Sequence, residues 1–390
     1  MRLATADGRP LRLSYCTNVH PAETLDDIVA VLRRDVARVR EAVARPGEPF
    51  GVGLWLPARA AAEAARDPAR AAALRRVLDD LSLFCVSLNV FPYGDFHGER
   101  VKEAVYRPTW LEPERLAYTL DAARVLAALL PAGEREGTMS TLPGGLPPAP
   151  GDATEADAFA AGVAAGLAHA AAGLGAIEAE TGRAIRLLVE PEPGCFLETT
   201  ARTLDFFAGP LRAAAGDALI ARHLGVCFDA SHLACRHERL GESLHALAAA
   251  RVPVGKLHVS CALEGPLAAF RSFAEPRYCH QVVAPDGRFS MDLEAALADP
   301  RFGPEDRVRV HFHAPVFADS LAPGLRTTRP DLEDALAAAV ALDPPPHLEV
   351  ETYTLSVIPP AELARLGVAD PAAALARELR WTLDRLAALG

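Results

Sequence analysis

The chain has 390 residues, half of them hydrophobic, and 51 acidic against 40 basic side chains leave a net charge of -11. That balance speaks against a nucleic-acid partner, whose affinity comes mainly from Lys and Arg neutralising phosphates. Seven cysteines (Cys16, Cys85, Cys195, Cys227, Cys235, Cys261 and Cys279) form no CxxC pair, an odd count that fits reduced thiols and a cytoplasmic protein. No basic-then-apolar leader opens the chain, and its Ala-rich stretches are too interrupted by polar residues to read as a membrane span.

The predicted elements alternate strand and helix. A first strand over 11–15 ends in the polar turn that holds His20, and Thr24 or Asp26 can cap a helix running to 44. Strand two spans 49–56, a helix 58–81, and strand three 83–89, ending on Asn89. A long loop follows with Tyr93, His97, Arg100, Lys102, Tyr106 and Arg107, a dense set of hydrogen-bond donors. Then come a helix over 113–130, a short strand over 137–142, and a Pro/Gly loop over 143–151. An Ala-rich helix opened by Thr154 and Asp157 lasts to 181.

Strand five is the run Arg186-Leu-Leu-Val-Glu-Pro-Glu-Pro-Gly194, which delivers Glu190 and stops at two prolines and a glycine. A helix over 199–214 leads to strand six, ending at Asp229, and a helix over 242–250 leads to strand seven over 256–260. An insertion over 263–307, with a turn at 284–287 and a helix near 291–297, precedes a strand carrying His311 and His313. A helix over 331–342, a strand with Glu349 and Glu351, and a last helix over 371–389 close the chain.

This alternation implies βαβ units and a parallel sheet. The expected fold is a single α/β domain over 1–390, a (β/α)8 barrel with the insertion near its C-terminal strands. Barrels of about 250 residues grow past about 400 by such insertions. Nine strand candidates compete for eight barrel places, and either the His311/His313 strand or 256–260 is the extra one. An open doubly wound sheet is disfavoured, because no GxGxxG or GxxxxGK[ST] follows a strand.

Five strands end in an acid or an imidazole, and residues two apart share a face. If the rows Lys256/His258, His311/His313 and Glu349/Glu351 point inward with Glu190 and Asp229, the barrel's C-terminal rim gathers at least three carboxylates and two imidazoles. Two carboxylates about 4 Å apart repel by roughly 4 kcal/mol at an effective dielectric near 20. Three such pairs cost on the order of 10 kcal/mol, comparable to a domain's whole stability. A divalent cation relieves this, and mixed carboxylate and imidazole ligands suit Mn, Zn, Co or Fe. Glu190, Asp229 and Glu351 are the candidate acids, and His258, His311 and His313 are left as alternatives for the imidazole ligand. His20, Asn89, Tyr93, His97, Lys102, His232, Lys256 and His311 make the candidate substrate-binding set.

Glu190-Pro, Asp229-Ala-Ser-His232, His258 and Glu351 resemble the sugar-phosphate isomerase/epimerase superfamily, whose barrel is xylose-isomerase-like. The resemblance implies one divalent metal on Glu190, Asp229, His258 or His313, and Glu351. It also implies proton transfer by Glu190 and Glu351, and His232 beside substrate or metal. Longer motifs are similar to the EboE family of metabolite-traffic proteins: Tyr15-Cys-Thr-Asn-Val-His-Pro21, Phe91-Pro-Tyr-Gly-Asp-Phe-His-Gly98, Val101-Lys-Glu-Ala-Val-Tyr-Arg-Pro108 and Val310-His-Phe-His-Ala-Pro-Val316. That likeness implies a gene cluster that moves a metabolite precursor across the inner membrane, and defines no reaction.

Two functions follow as expectations. One is a metal-dependent isomerase or epimerase acting on a small hydroxycarbonyl metabolite. The other is a carrier on the same barrel that presents a small polar metabolite to a membrane-export partner and relies on Lys102 and Lys256. A DNA phosphoesterase sits badly with the acidic surface, and the chain is expected to be a monomer or a homodimer.

Overall fold

The computed structural model describes residues 1–45, 47–149, 151, 153–368 and 370–389; Pro150, in the expected Pro/Gly loop, lies outside them. β1 (Arg2–Ala4) is a short strand antiparallel to β2 (Pro10–Cys16). Then come β3 (Phe50–Trp55), β4 (Leu83–Asn89), β5 (Glu136–Thr141), β6 (Ala184–Val189), β7 (Leu224–Asp229) and β8 (Val254–Val259). Between β8 and the last strand lie β9 (Cys261–Pro266), β10 (Val282–Val283), β11 (Phe289–Ser290), β12 (Arg307–Ala314), β13 (Ser320–Ala322) and β14 (Leu325–Thr327). β15 (His347–Val350) is the last.

β2 to β8 and β15 are the eight parallel strands of a (β/α)8 barrel, closed by β15 against both β8 and β2. The ninth candidate is β12. It belongs to a separate antiparallel sheet in the order β11-β10-β12-β9-β14-β13. That sheet takes in more than the expected insertion, since it starts at Cys261 and includes the His311/His313 strand itself. Its role is positional: β9 leaves the barrel next to His258, and β12 pairs with β9, carrying its two histidines back to the rim.

Local chemistry explains most element ends. Thr24 caps the first helix and forms a reciprocal capping box with Asp27, so Asp26 is not the cap. The helix expected over 58–81 is two, Ala58–Arg66 and Pro68–Asp80. Pro68 cannot continue a helix but suits the first turn of a new one, and Asp67 caps it. The helix expected over 199–214 runs from its Thr199 cap through Thr200–Phe206 and a π turn at Phe207–Leu211 into Arg212, and breaks at Gly216 (φ 74°), after which a second short helix leads to His223. The turn at Ala284 joins β10 and β11, with Gly287 in the left-handed region and its N–H donating to the Ala284 carbonyl at 3.0 Å.

Ala153–Thr181 is long and apolar enough to cross a membrane by length and composition. Val163, Leu167, Ala170, Leu174 and Ile177 form its buried face, and it packs beside Pro113–Leu129 and Arg212–His223 on the outside of the barrel. All seven cysteines are free thiols and buried.

The barrel core holds one buried ion pair below the rim. Lys256 and Glu349 are fully buried, and the ammonium donates to Oε1 of Glu349 at 3.0 Å. Ser14 donates to Oε2 of the same carboxylate at 2.9 Å. Gly53 is small for a steric reason: a Cβ there would overlap the Glu349 carboxylate.

Candidate metal centre and substrate pocket

The centre is assembled by register. Asp229 at the end of β7 and Glu349 on β15 both pair with His258 of β8, so the three residues stand level across adjacent strands. Glu190 is the first residue after β6 and Glu351 the first after β15, each delivered by a strand that stops at that point.

The Nδ1 atom of His258 lies 3.1 Å from Glu190 Oε1, 3.2 Å from Asp229 Oδ2 and 3.0 Å from Glu351 Oε2. One ring nitrogen thus faces three carboxylates, and a single N–H cannot satisfy them all. One ligand atom from each of the four side chains lies within 4.8 Å of all the others. Donor atoms held about 2.1 Å from a common ion in octahedral geometry sit about 3.0 Å apart, close to the spacings seen here. The second oxygen of Glu190 is buried without a hydrogen-bond partner. These residues fit a divalent cation on their own geometry.

The remaining atoms of the acids are held in place. Glu351 Oε1 accepts from the amides of Asn18 and Asn89, each at 2.9 Å. Asp229 Oδ1 accepts from the Ser260 hydroxyl at 2.8 Å and the His232 backbone N–H at 3.0 Å. Burial would raise the Asp229 carboxyl, but His232, His313 and His258 around it hold it well below the usual carboxylate range. Burial would lower His258, yet its anionic surroundings push it well above the ordinary imidazole value. Burial pushes the Cys227 thiol itself up to about 12, so Glu351 and Glu190 carry that effect.

Above the centre a pocket of about 480 Å³, its mouth included, is lined by Glu190 and Glu351 at its base. One wall is apolar, with Phe91, Phe96, Val101 and Val105. The other carries Glu192, Tyr106, His232, His311 and Tyr353. Tyr106 donates to Glu192 Oε1 at 2.6 Å, and Gln281 donates to the same oxygen at 3.0 Å. Burial raises the Glu192 carboxyl despite the opposing pull of His232 and these two donors.

Of the residues singled out in the sequence, Glu190, Asp229, His258 and Glu351 come together in one cluster. His313 borders it, with Nδ1 at 3.7 Å from Glu351 Oε2 and Nε2 at 4.0 Å from Asp229 Oδ2, and groups instead with His232 and His311. Asn89, His232, His311 and Lys102 line the pocket. The Lys102 ammonium, however, already donates to the Glu275 and Tyr278 carbonyls at 2.9 and 2.8 Å and to Asp292 at 2.8 Å.

The other expected substrate contacts lie elsewhere. Lys256 sits below the centre and is bound to Glu349, because its row on β8 starts one full pleat deeper in the barrel than His258. His20 is turned toward the Tyr15 hydroxyl at 3.3 Å. His97 packs edge-on against Trp55, and Tyr93 against Tyr118. Glu192, Asn18 and Gln281 escaped the sequence reading. Glu192 shared the Glu-Pro-Glu-Pro run with Glu190, and the two-residue spacing was the available signal.

Neither a protein-family model nor a curated protein matches this sequence. Solved structures do match. A protein of Anabaena variabilis described as a sugar phosphate isomerase/epimerase superposes with a TM-score of 0.51 at 13% identity, over 97% of this chain and 99% of that one. An L-ribulose 3-epimerase superposes with a TM-score of 0.50 at 12% identity, over 97% of this chain and 95% of that one. Likeness at such identity is a likeness of fold, and this chain shares the (β/α)8 barrel fold of these two proteins.

Proposed function

We propose that this protein is a metal-dependent isomerase or epimerase acting on a small hydroxycarbonyl metabolite. The observation that carries the reading is the convergence of Glu190, Asp229 and Glu351 on one nitrogen of His258 at the floor of a small pocket. The solved neighbours named as isomerases or epimerases act on sugars by their own descriptions, and support the same class of substrate.

A cation on Glu190, Asp229, His258 and Glu351, of the Mn, Zn, Co or Fe type, would polarise a carbonyl and so acidify the neighbouring C–H. The chain's own residues move the proton. Glu190, whose Oε2 has no hydrogen-bond partner, takes it from the carbon beside the carbonyl. Glu351, fixed by Asn18 and Asn89, passes a proton taken up from solvent to that carbon or to its neighbour, and Glu190 loses the abstracted proton to solvent in turn. The apolar wall of Phe91, Phe96 and Val105 keeps bulk water from the intermediate carbanion, and Glu192 with Tyr106 orients substrate hydroxyls.

The test is deuterium incorporation. The metal-loaded protein in D2O, given a panel of ketoses and related hydroxycarbonyl compounds, is expected to exchange a carbon-bound hydrogen, and chelation is expected to stop it. Absence of cation-dependent exchange across the panel would sink the reading.

We place the reaction in metabolite-precursor traffic, in the cytoplasm and upstream of a membrane-export partner, on the likeness of the 91–98, 101–108 and 310–316 motifs to EboE proteins. The carrier alternative needs Lys102 and Lys256 free for a ligand, and both ammonium groups are bonded within the protein.

A further inference from the structure

The pocket above the centre has two unlike sides. Its polar side holds Glu190 and Glu351 at the base, with Glu192 beside them. Among the described residues that line it, Lys102 is the one lysine or arginine, and its ammonium protons are spent on the Glu275 and Tyr278 carbonyls and on Asp292. The nearby backbone is spent as well. The N–H groups of Val101 and Lys102 both donate to the Arg277 carbonyl at 2.8 Å, and those of Glu190 and Glu192 donate to the Thr141 and Leu197 carbonyls at 3.0 Å. A phosphate ester needs cationic or N–H donors to replace the water it leaves. Here it would meet carboxylates instead.

The opposite side is hydrocarbon, with Phe91, Phe96, Val101 and Val105. The centroid of the Phe96 ring lies 5.2 Å from those of Tyr278 and Tyr353, which are 5.0 Å from each other, so three lining rings close one corner of the pocket. Both tyrosine hydroxyls have partners within the protein: that of Tyr353 lies 3.3 Å from His311 Nε2, and that of Tyr278 lies 3.5 Å from His97 Nδ1. A polyol carries a hydroxyl on nearly every carbon, and each one laid on this surface loses its water and finds no new partner. An alkyl or aryl group laid there has no such loss, and gains by leaving water.

We propose that the substrate is an unphosphorylated hydroxycarbonyl compound carrying a hydrocarbon substituent, which seats against Phe91, Phe96 and Val105. The inference rests on the proposed function for the place of the reacting oxygens, at Glu190 and Glu351, and adds what the other end of the molecule is. It also gives Lys102 a part that needs no contact with the ligand. Its ammonium fastens the turn Lys102–Tyr106 to Glu275, Tyr278 and Asp292, and that turn carries Val105 to the pocket wall. Val105 is thus a specificity-determining residue, and Lys102 a positioning residue behind it.

The test is an affinity series. The full-length protein loaded with Zn²⁺ is titrated in a calorimeter with hydroxyacetone, 1-hydroxy-2-butanone and 1-hydroxy-2-pentanone, and separately with dihydroxyacetone and its phosphate ester. Each added methylene is expected to tighten binding by about 3- to 4-fold, the gain from burying one such group. The phosphate ester is expected to bind more weakly than dihydroxyacetone. Val105→Thr, which puts a hydroxyl on the wall at nearly constant volume, is expected to flatten the series, and the wild-type series needs no variant. A flat or falling series overturns the inference, and so does a phosphate ester bound as tightly as dihydroxyacetone or more so. A rising series that Val105→Thr leaves unchanged overturns it as well. Deuterium exchange in ketoses together with a flat series overturns it and leaves the isomerase reading standing. A rising series with no exchange in any compound supports the substrate class and counts against the isomerase reading alone.

Discussion

The Nε2 atom of His258 lies 3.5 Å from Oε1 of Glu349, while the other ring nitrogen faces the three carboxylates. At that distance the Glu349 charge favours a proton on Nε2, and the proposed ligand atom is Nδ1, which faces the acids. Lys256 in turn balances Glu349, whose carboxyl stays well below the usual range: burial opposes the shift, and Lys256 and His258 outweigh it.

Replacing that carboxylate weakens the metal site without touching a ligand. Glu349→Gln is expected to lower cation affinity by about 10- to 100-fold, the usual effect of losing the group that orients a ligating histidine. Calorimetric titration of the stripped protein with Zn²⁺ checks this, and unchanged affinity would show that His258 is oriented by other contacts.

Removing Lys256 tests stability instead. Lys256→Met leaves Glu349 as a charge in a barrel interior with zero exposure, a loss expected at about 3–5 kcal/mol. The double variant Lys256→Met/Glu349→Gln should recover part of that loss, because neither charge is then stranded. Urea unfolding with chelator present measures both. A double variant no more stable than the single one would mean that the lysine contributes by packing.

Glu190 is proposed as both a ligand and the base, so its variant is read at a cation concentration that keeps the site filled. Glu190→Gln removes the proposed base and is expected to cut the deuterium-exchange rate by about 10²- to 10⁴-fold, measured at saturating cation. A rate within a few-fold of wild type would assign the proton transfer to another group.

Glu378 supplies a pH dependence. It lies in the last helix, accepts from the Thr352 hydroxyl at 2.7 Å and the Val316 N–H at 3.1 Å, and has one oxygen without a partner. Burial raises its carboxyl to about 7. The folded chain thus keeps a proton that the unfolded chain releases near 4.5, the ordinary value. Stability is therefore lost as pH rises from 4.5 to 7, a loss that is complete above 7 and absent below 4.5. The loss is of order 3 kcal/mol. Glu378→Gln is expected to gain on wild type by that order between pH 4.5 and pH 8. Denaturation curves of the two proteins in chelator, at both pH values, check it, and a constant difference would rule the titration out.

Sequence alone determined the barrel and its acids. Alternating periods placed the strands, and an acid or imidazole next to a strand stop marked the rim at Glu190, Asp229 and Glu351. Those features are local: a strand's length and end depend on its own branched residues, prolines and glycines. Which histidine joins the acids was a matter of tertiary structure, because β12 leaves the barrel and returns in a second sheet. The fates of Lys256 and Lys102 were equally invisible, since Glu349, Asp292 and the Tyr278 carbonyl that bind them come from distant segments. A side chain's face can be read from its strand, but its depth in the barrel and its partner are set by the stagger of neighbouring strands and by loops that close over long stretches of chain.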